Sequence, residues 1–242
     1  MGKITVTETK AEAKHPATYS FSIMYEIEKA LIAERARPRK GTYLRVLDPF
    51  AGTGKIHLFD GISLSDRSLA MCVTYGIEIE PEWASMHANT IQADARDVKK
   101  LFSATPVHVI CTSPTYANRL ADKHNAQDGS YRRSYTHDLG RQLTPGNSGG
   151  LQWGEDYREL HYDVWEKCVD VLQPGGLFLL NISDHIRRGE LVPVTQWHRD
   201  TLTHHGLEVE SIVPIKTPRL RHGANAHLRA DCEYLIGFRK PS

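Results

Sequence analysis

At 242 residues, with 30 basic against 29 acidic side chains and a net charge of +1, the chain is long enough to bury a core without disulfides or metal. Its overall charge makes no electrostatic case for a polyanionic partner, so any basic face has to be local. The four cysteines, Cys72, Cys111, Cys168 and Cys232, are far apart, lack C-x-x-C spacing and mostly adjoin apolar residues, which reads as reduced thiols with no metal site.

Residues 1–14 are polar and charged with no apolar period, and are expected to form a loose arm before a single domain over 15–242. No apolar run approaches 18 residues and the lysine-bearing start has no signal-peptide pattern, so a soluble cytoplasmic protein without membrane contact is expected. His15-Pro16-Ala17-Thr18-Tyr19-Ser20 precedes a helix over 21–33, where Ile23, Ile27, Ala30 and Leu31 recur at helical spacing and Ser20 can cap. A basic linker over 34–41 leads into a first strand over 43–47. The stretch 55–70 is a poor helix with Gly61 inside it and is expected to be interrupted.

A second strand is expected over 71–79. Pro81 then opens a helix over 82–90, as proline at the first helical position prefers, and Glu80 reads as a helix-start carboxylate favoured by the dipole. A short third strand over 91–93 ends at Asp94, a short helix covers 98–102, and a fourth strand runs over 107–111. After a helix over 157–172, Gln173-Pro174-Gly175-Gly176 reads as a stop, and the fifth strand over 177–182 is apolar except for Asn181. A helix over 195–205 ends at Gly206, and strands over 207–215 and 232–238 close the chain. This alternation means an α/β fold with a parallel, doubly wound sheet.

Two stretches break the alternation. The segment 117–155 has little periodicity and much Asn, Gly, Ser, Arg and His, and a loop of that length in a compact domain is usually functional or disordered. The segment 216–231 carries Lys216, Arg219, Arg221, His222, His227 and Arg229. Both carry a positive excess and together can supply the basic face that the net charge hides.

The chemistry concentrates where two strands end. Asp48-Pro49-Phe50-Ala51-Gly52-Thr53-Gly54 follows the first strand, and its glycines let a ligand approach main-chain N–H groups. Lys55-Ile56 spoils the G-K-[ST] ending of a phosphate loop, and His57 stands where a dinucleotide loop needs its third glycine. Glu78, near the end of strand two, has the position of a carboxylate that accepts from both hydroxyls of a ribose, with Glu80 as the alternative. Thr112-Ser113-Pro114-Thr115-Tyr116 ends the fourth strand with a hydroxyl, a rigid proline and an aromatic ring.

These two segments resemble motifs I and IV of the S-adenosylmethionine-dependent amino-methyltransferases of DNA, whose motif IV reads (S/T/D/N)-P-P-(Y/F). The resemblance runs from about His15 to Lys240, with Thr115 standing where the family usually has a second proline. It implies a Rossmann-like class I methyltransferase fold with an antiparallel final strand, in a gamma-like order of motifs. It further implies S-adenosylmethionine as cofactor, bound by Pro16, Ala17 and Tyr19 of motif X, by Asp48, Phe50, Ala51, Gly52 and Gly54 of motif I, by Glu78 of motif II, and by Asp94 and Ala95 of motif III. Asp94 would accept from the adenine amino group, and Asp48, Glu78 and Asp94 form an acidic arc suited to a sulfonium.

Motif IV then implies the catalytic set Ser113, Pro114, Thr115 and Tyr116. The Ser113 hydroxyl and the Pro114 carbonyl accept the amino N–H bonds of a base flipped out of duplex DNA, and Tyr116 stacks on it. Serine at the first position tips the target to cytosine N4, with adenine N6 second. Carbon-5 chemistry needs a Pro-Cys nucleophile, and Cys111 lies inside a strand. Asn118 and Arg119 fit an Ala-Asn-Arg continuation seen in some phage and bacterial enzymes of this type and are expected DNA contacts, Arg119 to phosphate; the resemblance as a whole implies a bacterial host cytoplasm and restriction-modification. Arg132 and Arg133, flanked by Tyr131 and Tyr135, would read bases or phosphates, as would Arg219, Arg221 and Arg229. The small recognition region predicts a short target site, a dimer or a separate specificity partner. An RNA or protein N-methyltransferase and a non-catalytic DNA-binding relative stay open, the latter because threonine removes the fixed φ of the second proline.

Overall fold

A computed structural model describes residues 19–35, 43–61, 71–105, 107–117, 134–187, 189–216 and 232–242. Strands β1 (Tyr43–Asp48), β2 (Met71–Glu78), β3 (Thr90–Gln92), β4 (Val107–Thr112), β5 (Leu172–Ile182), β8 (Glu208–Lys216) and β9 (Cys232–Arg239) form one sheet in the order β3-β2-β1-β4-β5-β9-β8. The first five pair in parallel, and β9 is inserted antiparallel between β5 and β8. This is the expected Rossmann-like α/β fold with its antiparallel final strand. Helices α1 (Phe21–Arg35), α2 (Pro81–Ala84), α3 (Val98–Phe102), α4 (Tyr135–Leu139), α5 (Glu155–Val171) and α6 (Val194–His204) connect or cover the strands.

The two-residue period of a strand decides which helix each side chain meets. Leu44, Val46, Val109, Cys111, Leu177 and Leu179 are buried with Ile23, Ile27 and Leu31 of α1. Their neighbours Leu47, Ile110, Phe178 and Leu180 point the other way and are buried with Val164, Trp165 and Cys168 of α5. Burying each of the three α1 side chains stabilises the fold by about 1.5–3 kcal/mol, so the 3.6-residue spacing is what fastens this helix to the sheet. A sheet covered on both faces leaves its strand ends as the accessible rim, and the site lies there.

Several boundaries differ from expectation. The helix expected over 82–90 is the four residues of α2, because the Ser85 hydroxyl donates to the Glu82 carbonyl and the chain turns so that Asn89 O accepts from Gly76 N–H. The stretch 55–70 opens as a 3-10 turn, Lys55–Phe59, and 62–70 lies outside the described residues. Helix α5 does end before the expected stop over 173–176, at Val171, but those four residues belong to β5: pairing moves from Val107↔Leu172 to Val109↔Leu177, so Pro174 and Gly175 (φ 71°) sit in a bulge. Lys240 Nζ donates to the carbonyls of Val169 and Leu172 there, satisfying the end of α5. A hairpin of β6 (His185–Arg187) and β7 (Glu190–Val192) was not expected. Within the loop expected over 117–155, the part from Ser134 onward is folded: the Ser134 hydroxyl caps α4, Gly140 (φ 70°) ends it, and a 3-10 turn follows at Ser148–Gly150.

Candidate active site

The glycine loop after β1 is stitched to the end of β2. Ala51 N–H donates to Ile77 O, Gly52 N–H donates to Glu78 Oε2 at 2.8 Å, and Glu80 N–H donates to Glu78 Oε1 at 2.8 Å. Each Glu78 oxygen therefore has one backbone donor and keeps a further lone pair. Burial pushes this carboxyl up to about 7, opposed by the two N–H bonds and reinforced by the nearby Glu80 and Asp48 charges. Gly52 adopts φ 53°, which admits glycine without strain.

Asp48 ties three segments together. Its Oδ1 accepts from the Thr112 hydroxyl at 2.7 Å and from Phe50 N–H at 3.0 Å, and Oδ2 accepts from the Tyr19 hydroxyl at 3.4 Å. Desolvation raises its pKa to about 6 against those three donors. The residue thus couples the end of β1 to the end of β4 and to the lead-in of α1. Asp94 behaves differently. Burial pushes its pKa up, but Arg96 reverses the balance and holds it below its ordinary value, binding Oδ1 through its backbone N–H and Nε and Oδ2 through Nη2 at 2.6 Å. Asp94 is thereby committed to a local cap and ion pair, and any adenine amino group has to share those oxygens.

These side chains and the 113–116 segment line one cavity of about 370 Å³, within the range that encloses a small ligand. Of the expected cofactor residues, Tyr19, Asp48, Phe50, Ala51, Gly52, Glu78, Asp94, Ala95 and Ser113 line it. Gly54 is not among the lining residues. It sits at φ 73°, and a Cβ there would come within 2.4 Å of His87 and 2.8 Å of His57, so its glycine serves the turn and the histidine packing beneath. Pro16 and Ala17, and the expected DNA contacts Asn118, Arg119, Arg132, Arg133, Arg219, Arg221 and Arg229, lie outside the described residues.

The 113–116 segment is held from below and from the side. The Thr115 hydroxyl donates to the Ser148 carbonyl (3.1 Å) and contacts Ser148 Oγ (3.2 Å), and the Thr115 carbonyl accepts from Tyr157 OH at 2.6 Å. Tyr157 OH also meets His198 Nε2 at 2.8 Å, and Trp165 Nε1–H donates to His198 Nδ1 at 2.9 Å. An indole N–H can only donate, so His198 Nδ1 accepts, and in the neutral ring Nε2 carries the hydrogen that Tyr157 receives. Burial lowers the His198 pKa well below its ordinary value and keeps the ring neutral. The threonine hydroxyl thus adds a tie to Ser148 that proline could not make, beside the carbonyl bond from Tyr157 that any residue here could accept.

Two further residues face the same cavity, and sequence reasoning passed over both. Asn181 of β5 holds Nδ2 within reach of Ser113 Oγ (3.1 Å), Tyr116 Oη (2.8 Å) and Glu233 Oε2 (3.0 Å), three acceptors that share its two hydrogens. Glu233 of β9 also accepts from Tyr116 OH at 3.1 Å, and Ser113 Oγ lies 3.0 Å from Tyr116 Oη. The signal for Asn181 was its polarity inside an apolar strand. Nothing local marks Glu233, which reaches Tyr116 across 117 residues of sequence.

The folded part of the 117–155 segment closes one side of the cavity with Tyr135, Gly146, Asn147 and Ser148. Glu80 anchors it. The residue does start α2 as expected, but its fully buried carboxylate is directed at this segment, accepting from Thr144 N–H and Oγ1–H, from Asn147 Nδ2 and from Arg141 Nη2. Glu80 is therefore occupied and does not line the cavity, whereas Glu78 does. Gly146 fits against the Asp94–Arg96 pair, where a Cβ would meet Arg96 Nη2 at 2.9 Å. Among the described residues no group of three or more His, Cys, Asp or Glu is arranged to hold a metal ion, and no helix is long and apolar enough to cross a membrane.

No family model and no curated protein sequence matches the chain. Among solved structures it is similar to TrmN from Thermus thermophilus, at 16% identity and a TM-score of 0.50, over 88% of this chain and 48% of that one. It is also similar to an rRNA methylase from Streptococcus thermophilus, at 12% identity and a TM-score of 0.49, over 93% of this chain and 100% of that one. A third likeness is to a presumptive DNA modification methylase from Thermus thermophilus complexed with S-adenosyl-L-methionine, at 19% identity and a TM-score of 0.39, over 60% and 54% of the two chains. The chain spans about half the length of the first and third. What the likeness to TrmN shows is the fold.

Proposed function

We propose that the protein is an S-adenosylmethionine-dependent amino-methyltransferase that acts on an exocyclic amino group of a base flipped out of duplex DNA, cytosine N4 first and adenine N6 second. The observation that carries this reading is that Ser113 and Pro114 line the same cavity as Gly52 and Glu78, so that the residues proposed to accept the amino group and to bind the ribose share one space. The residues present fit the cofactor. Glu78 keeps a lone pair on each oxygen for the ribose hydroxyls, Gly52 presents no Cβ, and the Asp48 and Glu78 carboxyls suit a cationic ligand. When bound, S-adenosylmethionine supplies an electrophilic methyl group.

What the chain itself does is make the acceptor a better nucleophile. An exocyclic amino nitrogen delocalises its lone pair into the ring. Accepting its two N–H bonds on Ser113 Oγ and the Pro114 carbonyl draws that pair back onto nitrogen and favours pyramidal geometry. In this reading the Tyr116 ring, whose hydroxyl meets Asn181 and Glu233, stacks on the base, worth about 1–3 kcal/mol against a flipping cost of a few kcal/mol. The anchored Thr115 supports a catalytic protein over a degenerate binding relative, because the segment that aims the acceptors is fixed without the second proline. The limited recognition region favours a short target site, or a dimer or separate specificity partner.

The test is to incubate the protein with methyl-labelled S-adenosylmethionine and mixed-sequence duplex DNA, digest to nucleosides and chromatograph, with Ser113→Ala as control. Label in N4-methylcytosine that disappears in the control is expected. Label in N6-methyladenine would keep the mechanism and change the base. No label in DNA alongside demonstrated cofactor binding would overturn the reading and move the search to RNA.

A further inference from the structure

The polar cluster behind Ser113 has a direction. Glu233 as a carboxylate only accepts, so the Tyr116 hydroxyl, 3.1 Å away, spends its hydrogen there. Tyr116 Oη is then an acceptor towards Ser113 Oγ at 3.0 Å, and the Ser113 hydroxyl spends its hydrogen on Tyr116. Asn181 enforces the same polarity. Its Nδ2 faces Ser113, Tyr116 and Glu233 at once, and the opposite amide orientation would set a carbonyl oxygen against the carboxylate. Ser113 Oγ is left with its hydrogen turned away and a lone pair available to the cavity. A serine hydroxyl free to rotate would present hydrogen or lone pair indifferently, and only the lone pair suits a substrate N–H.

We propose that Glu233 is a positioning residue for the methyl-transfer site, acting through Tyr116 to fix Ser113 as an acceptor and receiving the proton that the substrate nitrogen must lose. This rests on the amino-methyltransferase reading above. Once methylated, the amino nitrogen carries one positive charge and one surplus hydrogen. Its N–H bond breaks with the electron pair remaining on nitrogen, and Ser113 Oγ takes that hydrogen while passing its own to Tyr116 Oη. Tyr116 passes its hydrogen to Glu233 Oε2, which changes from carboxylate to carboxylic acid. Glu233 is only partly buried, so the acid can return its proton to solvent. Both hydroxyls end neutral, and the nitrogen ends as a neutral methylamine.

Two measurements on the full chain test this separately from the proposed function. In cofactor-free protein carrying [13Cζ]tyrosine, Tyr116→Phe assigns the Tyr116 resonance, and Glu233→Gln is expected to move it, because the hydroxyl then donates to a neutral amide. In steady-state transfer to DNA, Glu233→Gln and Tyr116→Phe are expected to lower kcat about 100-fold or more with cofactor KM changed less than about threefold, and Glu233→Asp to recover part of kcat. An unmoved Tyr116 resonance, or Glu233→Gln turning over as fast as the unsubstituted protein, overturns the relay. If the unsubstituted protein transfers no label to an amino base, it is the underlying reading that fails, while the resonance still reports whether the hydrogen-bond chain exists.

Discussion

Removing a single oxygen from the core, in Tyr157→Phe, should weaken the fold well beyond what the lost volume explains. The Tyr157 hydroxyl is buried and joins two otherwise unpaired groups, donating to the Thr115 carbonyl at 2.6 Å and accepting from His198 Nε2–H at 2.8 Å. The phenyl ring keeps its packing on His161, 4.1 Å between centroids, so aromatic contact is conserved. Each stranded group costs about 1–3 kcal/mol, and about 1.5 for each gives about 3 kcal/mol in total. At about 2–4 °C per kcal/mol for a chain of this length, the melting temperature falls by about 6–12 °C. Thermal unfolding followed by circular dichroism measures this. Tyr162→Phe, on the exposed side of the same helix, is the control and should stay within about 0.5 kcal/mol. If Tyr157→Phe melts within a degree of the unsubstituted protein, the Thr115–Tyr157–His198 chain does not hold the 113–116 segment.

Asp48→Asn should stabilise the cofactor-free protein at pH 8. Asparagine keeps Oδ1 for Thr112 and Phe50 and offers Nδ2–H to Tyr19, while burial has raised the aspartate from 3.8 to about 6. A raised carboxyl contributes stability that is full below about pH 4 and lost as pH rises through 6, so the variant's advantage, about 3 kcal/mol at most, should fade towards pH 4 in thermal melts. A gap independent of pH contradicts this. Gly54→Ala should cost at least about 1–2 kcal/mol in urea unfolding, since it combines φ 73° with a Cβ 2.4 Å from His87, and an unshifted midpoint would refute the assigned role of the turn. Arg141→Ala frees the 141–147 segment from Glu82 and weakens its hold on Glu80, so dissociation of S-adenosylhomocysteine in stopped-flow should quicken by about threefold to tenfold, or about 1 kcal/mol. Unchanged dissociation would mean that the segment does not hold the ligand in.

The strand ends carried most of what the sequence could say about the site. Asp48, Glu78 and Ser113 follow apolar strands by short, fixed intervals, and a doubly wound sheet brings such positions together whatever the loops do. The apolar periods of α1 and of the strands likewise specify which face each covers. Long-range polar pairing was not legible. Glu80 was read from its own helix start, but its partners Thr144 and Asn147 lie 64 and 67 residues away, inside a segment with no periodicity of its own. Glu233 carried no signal of its own inside the expected strand over 232–238, and Asn181 was only the polar exception in an apolar strand, because the geometry joining them exists only once β9 inserts beside β5, pairing Asn181 with Leu235. At Gly54 the motif pointed to ligand contact, and packing against His57 and His87 supplies a structural reason for the glycine that the sequence did not show.

The central claim is that one cavity serves both the methyl donor and the amino group. It is tested most directly by the crystal structure of the protein with S-adenosylhomocysteine and a short cytosine-containing duplex. The account predicts both ribose hydroxyls within hydrogen-bond reach of Glu78, with the extruded cytosine N4 in reach of Ser113 Oγ and the Pro114 carbonyl. A nucleoside bound away from Glu78, or a substrate group that meets neither Ser113 nor Pro114, would contradict it.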